Sequence, residues 1–169
     1  MTSPSGPANP MDDPSFVAGL RAVPSGAPGE APVWPAVDLH GVRPDGTPVT
    51  VSLDPGGPPV LLCFLSLECD GCDAFWTGLA DGTDPVLARV RPVVVTKGPD
   101  VLDPAAVATR SAGFGGDVVM GASAWDAYRV TGYPFLVLVD PVARRVLAES
   151  VGFGWTDVAT VVADGLGPA

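Results

Sequence analysis

The chain has 169 residues, 47% of them apolar, which is the size of one ordinary domain with enough buried surface to fold unaided and excludes a large multidomain enzyme. Nineteen carboxylates against eight arginines and the single lysine, Lys97, give a net charge of -10, a balance that repels phosphate backbones and anionic lipid and excludes nucleic acid as an expected partner. The longest apolar run, residues 60–65, has six residues where a spanning helix needs about 20, and the first 30 residues show neither the basic start nor the apolar stretch of a secretory leader, so no membrane span and a cytoplasmic address are expected.

Thirteen of the 20 prolines lie in the first 60 residues. Residues 1–31 read as a disordered Pro/Gly-rich tail and residues 32–169 as the folded domain. Residues 33–53 alternate apolar and polar side chains around Asp45-Gly46, a dipeptide suited to the positive dihedrals of a tight turn, which predicts a β-hairpin. Residues 60–67, VLLCFLSL, are nearly continuously apolar, as in a central strand covered on both faces. The strand leads into Cys69, and CDGCDAFWTGLADG then predicts a helix from about Gly71 to Ala80, with Phe75, Trp76 and Leu79 meeting at helical spacing before Gly82 ends it. Residues 90–96 form a further buried strand, and Asp103-Pro104, a side-chain cap followed by proline at the first helical position, opens a helix to about Ser111. A short strand over residues 118–120 precedes a helix through Tyr128, with Ser123 and Asp126 spaced as a capping box. Residues 135–139, FLVLV, are a strand with which residues 146–151 pair back. Residues 155–164 close as an amphipathic helix burying Val158, Val161 and Val162, with Gly165 placed to end it. This string gives an α/β domain with a central mixed sheet and helices on both faces.

The chemistry concentrates at Cys69-Asp70-Gly71-Cys72, at the start of a helix directly after a buried strand. Two intervening residues let the sulfurs meet across the first helical turn, and the free N–H groups of the helix N-terminus stabilise a thiolate on the leading cysteine. A nucleophile with its resolving thiol is the redox reading, against a pair of incidental buried cysteines. Structural zinc needs four ligands and only Cys63 and His40 remain to supplement the pair, so neither a metal nor a cofactor is expected.

Residues 60–76, VLLCFLSLECDGCDAFW, resemble the strand, active-site loop and helix of the thioredoxin superfamily, and residues 132–140, GYPFLVLVD, resemble its second signature, a loop carrying a cis-proline followed by a strand. The upstream hairpin and the closing strand, strand and helix extend the resemblance over about residues 33–166, closest to the TlpA-like or MauD-like branch of actinobacterial type. It implies a thioredoxin fold with an N-terminal β-hairpin extension and a thiol-disulfide oxidoreductase, with Cys69 attacking, Cys72 resolving, and Tyr133 and Pro134 holding the substrate backbone beside the disulfide. The implied partners are a protein disulfide or dithiol and an electron donor, and the chain is expected to be a monomer. Trp34, Trp125 and Trp155 read as packing residues.

Several positions depart from the family pattern. Cys63 stands where thioredoxins carry a buried acid six residues before the attacking cysteine, and is expected to be a buried, protonated spectator. Glu68 replaces the usual Trp, Asp70-Gly71 the usual Gly-Pro, and Asp73 follows. Three carboxylates around one thiol disfavour its thiolate, which points to a reducing couple. The alternatives are a peroxiredoxin-like peroxidase, for which Ser66 has the right spacing but Leu62 stands where proline is needed; a copper-delivering module, which would have to recruit His40; and a non-catalytic interaction module.

Overall fold

The computed structural model describes residues 34–168. The tail expected over residues 1–31 lies outside the described residues. Seven strands, β1 (Leu39–Val42), β2 (Pro48–Val51), β3 (Val60–Phe64), β4 (Arg91–Thr96), β5 (Asp117–Met120), β6 (Phe135–Asp140) and β7 (Arg145–Val151), form one mixed sheet in the order β2-β1-β5-β4-β3-β6-β7. The helices are α1 (Asp73–Asp81), α2 (Pro104–Arg110), α3 (Ser123–Ala127) and α4 (Thr156–Leu166). Strand β3 runs parallel to β4 and antiparallel to β6, so that Cys63 stands beside Val94 on one side and Leu136 on the other.

All five residues of β3 are buried because both faces of the sheet are covered. Leu61 and Cys63 face one apolar layer, with Phe75, Trp76 and Leu79 of α1, Val107 of α2 and the valines of α4. Val60, Leu62 and Phe64 face the other, with the hairpin and the Ala124, Trp125 and Tyr128 side chains. The hairpin of β1 and β2 docks through β1 on β5, with Val42 opposite Met120. In its turn only Gly46 takes a positive φ, +83°. Asp45 stays on the ordinary side and accepts hydrogen bonds from Thr47 N–H and Oγ at 2.9 and 2.6 Å.

Two helix-end signals act otherwise than the sequence suggests. Gly165 does not end the last helix; α4 continues to Leu166, and Gly167, at φ +81°, follows it. Gly165 is needed for closeness, since a Cβ there would lie 2.5 Å from Leu138 Cδ2 and 3.0 Å from Leu147 Cβ. Ser123 and Asp126 form no capping box: Ser123 Oγ donates to the His40 carbonyl at 3.3 Å, tying α3 to β1. Asp84-Pro85 repeats the cap-then-proline signal of Asp103-Pro104 and opens a 3-10 helix over Pro85–Arg89; both aspartates accept a backbone N–H at 3.0 Å.

Trp155 fastens α1 to the end of the chain. Its indole lies flat enough on Gly78 that a Cβ there would overlap the ring, it packs against Phe75 with centroids 6.4 Å apart, and its Nε1 donates to Asp84 at 2.8 Å. Gly78→Ala is therefore expected to destabilise the domain. Overpacking costs about 1–3 kcal/mol, which outweighs the helix propensity of about 1 kcal/mol that alanine adds, and a lowered urea midpoint is the measurement that shows it.

Candidate active site

Strand β3 ends at Phe64, and Leu65 N–H still donates to Val95 O of β4 at 3.0 Å, so the chain leaves the sheet at a fixed place. Ser66 is buried and organises the next turn: its carbonyl accepts the Trp76 Nε1–H at 3.2 Å, its Oγ accepts the Glu68 N–H at 3.4 Å, and its own N–H points at Cys72 Sγ at 3.5 Å. Cys69 then caps a 3-10 turn, Asp70–Cys72, which runs directly into α1. Cys72 N–H donates to Cys69 O at 2.9 Å. This folds the two cysteines back on one another, with Cα atoms 5.2 Å apart and the sulfurs bonded as a disulfide. α1 starts two residues later than expected because its first turn is wound as 3-10, and it ends as expected at Gly82, φ +65°, whose N–H caps Gly78 O.

The two sulfurs differ in access. Cys72 is completely buried among Phe75, Trp76 and Leu65, whereas Cys69 is half-buried at the rim of that layer. Opposite them stands the segment before β6. Tyr133–Pro134 is a cis peptide bond, the Tyr133 carbonyl oxygen is 3.9 Å from Cys69 Sγ, and the Pro134 ring lies 3.5 Å from where a Cβ on Gly71 would be. All four candidate residues, Cys69, Cys72, Tyr133 and Pro134, are thus brought together. Tyr133 meets the buried Trp125 edge-on at 6.0 Å, and Lys97 Nζ sits 4.0 Å above the Trp125 ring. Trp125 packs edge-on against Phe64 at 5.2 Å, and Trp34 lies under the Arg129 guanidinium at 3.8 Å, so all three named tryptophans have packing contacts.

Electrostatics around Cys69 are milder than three carboxylates would suggest. Asp73 is paired with Arg110, which leaves Glu68 and Asp70 exposed without an ion-pair partner among the described residues. Ser66 turns its hydroxyl to the backbone of Glu68 rather than to Cys69, the arrangement a peroxidatic thiol would need. His40 is engaged with Thr50 Oγ at 3.1 Å on β1, three strands from β3, or about 14 Å at about 4.8 Å per strand. It does not join the cysteines.

Cys63 is a free thiol with no exposed surface, in the same apolar layer as Cys72. Burial pushes it up from 9.0 to about 12. In the reduced, folded protein at pH 8, Cys69 is expected to take an alkylating label while Cys63 stays unlabelled until denaturant is added. Cys63→Ala is expected to cost on the order of 1 kcal/mol through the small cavity it leaves, with exchange kinetics nearly unchanged. The same substitution removes a share of alkaline destabilisation, because the unfolded thiol ionises from pH 9 upwards while the buried one holds its proton to about 12. Labelling of Cys63 as fast as Cys69 would contradict the spectator role.

No family model matches the chain, and no curated protein matches it significantly. Solved structures do. A thiol:disulfide interchange protein from Bacteroides sp. superposes with TM-score 0.58 at 18% identity over 78% of this chain and 90% of that one. A thioredoxin-family thiol:disulfide interchange protein from Chlorobium tepidum gives 0.57 at 20% identity over 82% and 100%. BsSco, a member of the Sco family of cytochrome c oxidase assembly proteins with a disulfide switch, gives 0.57 at 17% over 80% and 93%. The chain has the thioredoxin fold, with a disulfide-bonded CxxC pair where the central strand meets the first helix.

Proposed function

We propose that the protein is a thiol-disulfide oxidoreductase that reduces disulfides of polypeptide substrates through the Cys69–Cys72 dithiol. The observation that carries the reading is the asymmetry of the pair: one sulfur reachable at the start of a helix beside the Tyr133–Pro134 bond, the other buried behind it. The Cys69 thiolate attacks one sulfur of the substrate disulfide, forming a mixed disulfide and releasing the other substrate sulfur as a thiolate. Cys72 then attacks Cys69 Sγ, forming the internal disulfide and releasing the second substrate thiol. Two electrons pass from the dithiol to the substrate, and the two enzyme thiol protons end on the substrate sulfurs. Tyr133 and Pro134 are the residues that would lie along the substrate backbone during the attack.

Exposed Glu68 and Asp70 oppose the helix N-terminus in stabilising the Cys69 thiolate, which supports the reducing direction. The hairpin ahead of β3 supports the TlpA-like or MauD-like branch, and a monomer in the cytoplasm is the setting we assign. Among the described residues no helix is long and apolar enough to cross a membrane. Equilibration with glutathione tests the direction: a Cys69–Cys72 potential below that of glutathione is expected, and one well above it would make the protein an oxidant.

A further inference from the structure

At the far end of α1 from the cysteines the surface opens into a groove of about 530 Å³, within the size range of small-molecule sites. Cys72 immediately precedes α1, and Gly82, which lines the groove, immediately follows it, so the two places stand about 14 Å apart along the helix at about 1.5 Å per residue. The sheet separates them in the same sense. Arg91 and Asp117 are the first residues of β4 and β5, whereas the cysteines come after the last residue of β3, which runs parallel to β4. One wall of the groove is apolar: Leu79, Leu87 and Phe114 pack on the layer beneath α1, and Pro92 adds a ring with no N–H to satisfy. Gly116 lets Phe114 fold back over this wall, since a Cβ there would overlap the phenyl ring and stand 2.9 Å from Pro92 O.

The facing wall is cationic. Arg43 and Arg91 reach from different strand ends to one carboxylate, Arg43 Nη1 to Asp117 Oδ1 at 2.9 Å and Arg91 Nη2 to Asp117 Oδ2 at 2.8 Å. Burial by itself would raise the Asp117 carboxyl, but the two guanidiniums hold it below the usual carboxylate range, so it stays charged. Two cations against one anion leave one positive charge over, in a chain whose net charge is -10. The arginine side chains are 42% and 39% exposed and the aspartate 23%, so the cations are what the groove shows to solvent.

We infer that this groove is a binding site for a small organic carboxylate, with its charged head on Arg43 and Arg91 and its apolar body along Leu79, Leu87 and Phe114. Charge selects the head. A carboxylate matches the single positive charge left over, whereas a dianionic phosphate overcompensates it, and Asp117 shows that the two guanidiniums hold a carboxylate between them. The apolar body supplies the affinity that a solvated ion pair lacks.

Calorimetric titration of the full chain tests this with 4-phenylbutyrate, its uncharged amide, acetate as the head alone, and phenyl phosphate. The expected result is one-to-one binding of 4-phenylbutyrate with a Kd of about 1 mM or tighter, the other three being about tenfold or more weaker. Arg43→Gln is expected to weaken 4-phenylbutyrate about tenfold. Gly115→Leu keeps both arginines and is expected to abolish binding with the urea midpoint unchanged: Gly115 lines the groove, its φ is not positive, and a Cβ there meets no neighbouring atom within 4 Å. Equal affinity for acid and amide, tightest binding of phenyl phosphate, binding that neither variant weakens, or no saturable binding of 4-phenylbutyrate overturns the inference. Concentration-dependent dimers that Gly115→Leu dissolves assign the groove to a second copy of the chain and also overturn it.

Discussion

Cys69→Ser is expected to abolish exchange, and Cys72→Ser to accumulate a mixed disulfide with substrate. The difference follows from access. Cys69 stands at the rim with its sulfur 3.9 Å from the Tyr133 carbonyl, so a substrate disulfide can reach it. Cys72 has no exposed surface, and its sulfur is in reach of Cys69 and of the Ser66 N–H. Removing the first thiol removes the nucleophile; removing the second leaves the mixed disulfide without the neighbour that would resolve it. Non-reducing electrophoresis of each variant with a protein disulfide reads the outcome. Equal trapping by both variants would show that the roles are reversed or shared.

The largest stability loss is expected from Trp76→Ala. Trp76 is 1% exposed beneath the cysteines, and its indole N–H satisfies the Ser66 carbonyl. Truncating a buried aromatic costs about 3–5 kcal/mol, and the orphaned carbonyl adds about 1–3 kcal/mol unless water reaches it. Single domains are stable by about 5–15 kcal/mol, so urea unfolding of the variant should show little of the native plateau. Trp76→Phe, which keeps most of the apolar surface and loses only the N–H, should fall between. A midpoint for Trp76→Ala within experimental error of the unsubstituted protein would mean that the indole does not hold the Ser66 turn.

How much could be read in advance depends on how local the cause is. Strand β3 was legible because an unbroken apolar run has no other stable use between two covered faces, and α2 because Asp103 caps its own N-terminus within two residues. The cysteine pair was legible from its spacing, and its neighbourhood to Tyr133 and Pro134 only through family resemblance, because those residues are more than sixty positions away. Contacts between distant elements defeated local rules. Gly165 looks like a helix end, but β6 and β7 require a bare backbone inside α4. Ser123 looks like a cap, but the His40 carbonyl across the sheet takes its hydroxyl. The Ser66 turn was missed for the same reason: no pattern in SLEC announces that an indole ten residues on will bind its carbonyl.

One couple, Cys69 with Cys72, is expected to pass two electrons to a protein disulfide while Cys63 stays silent. Fully reduced protein mixed with one equivalent of insulin, quenched in acid at intervals, alkylated and mapped by mass spectrometry tests all of it together. The expected result is a Cys69–Cys72 bond that grows in step with new insulin thiols, with Cys63 recovered as the free, alkylated thiol throughout. Insulin that stays oxidised, or a bond between Cys63 and Cys72, would contradict it.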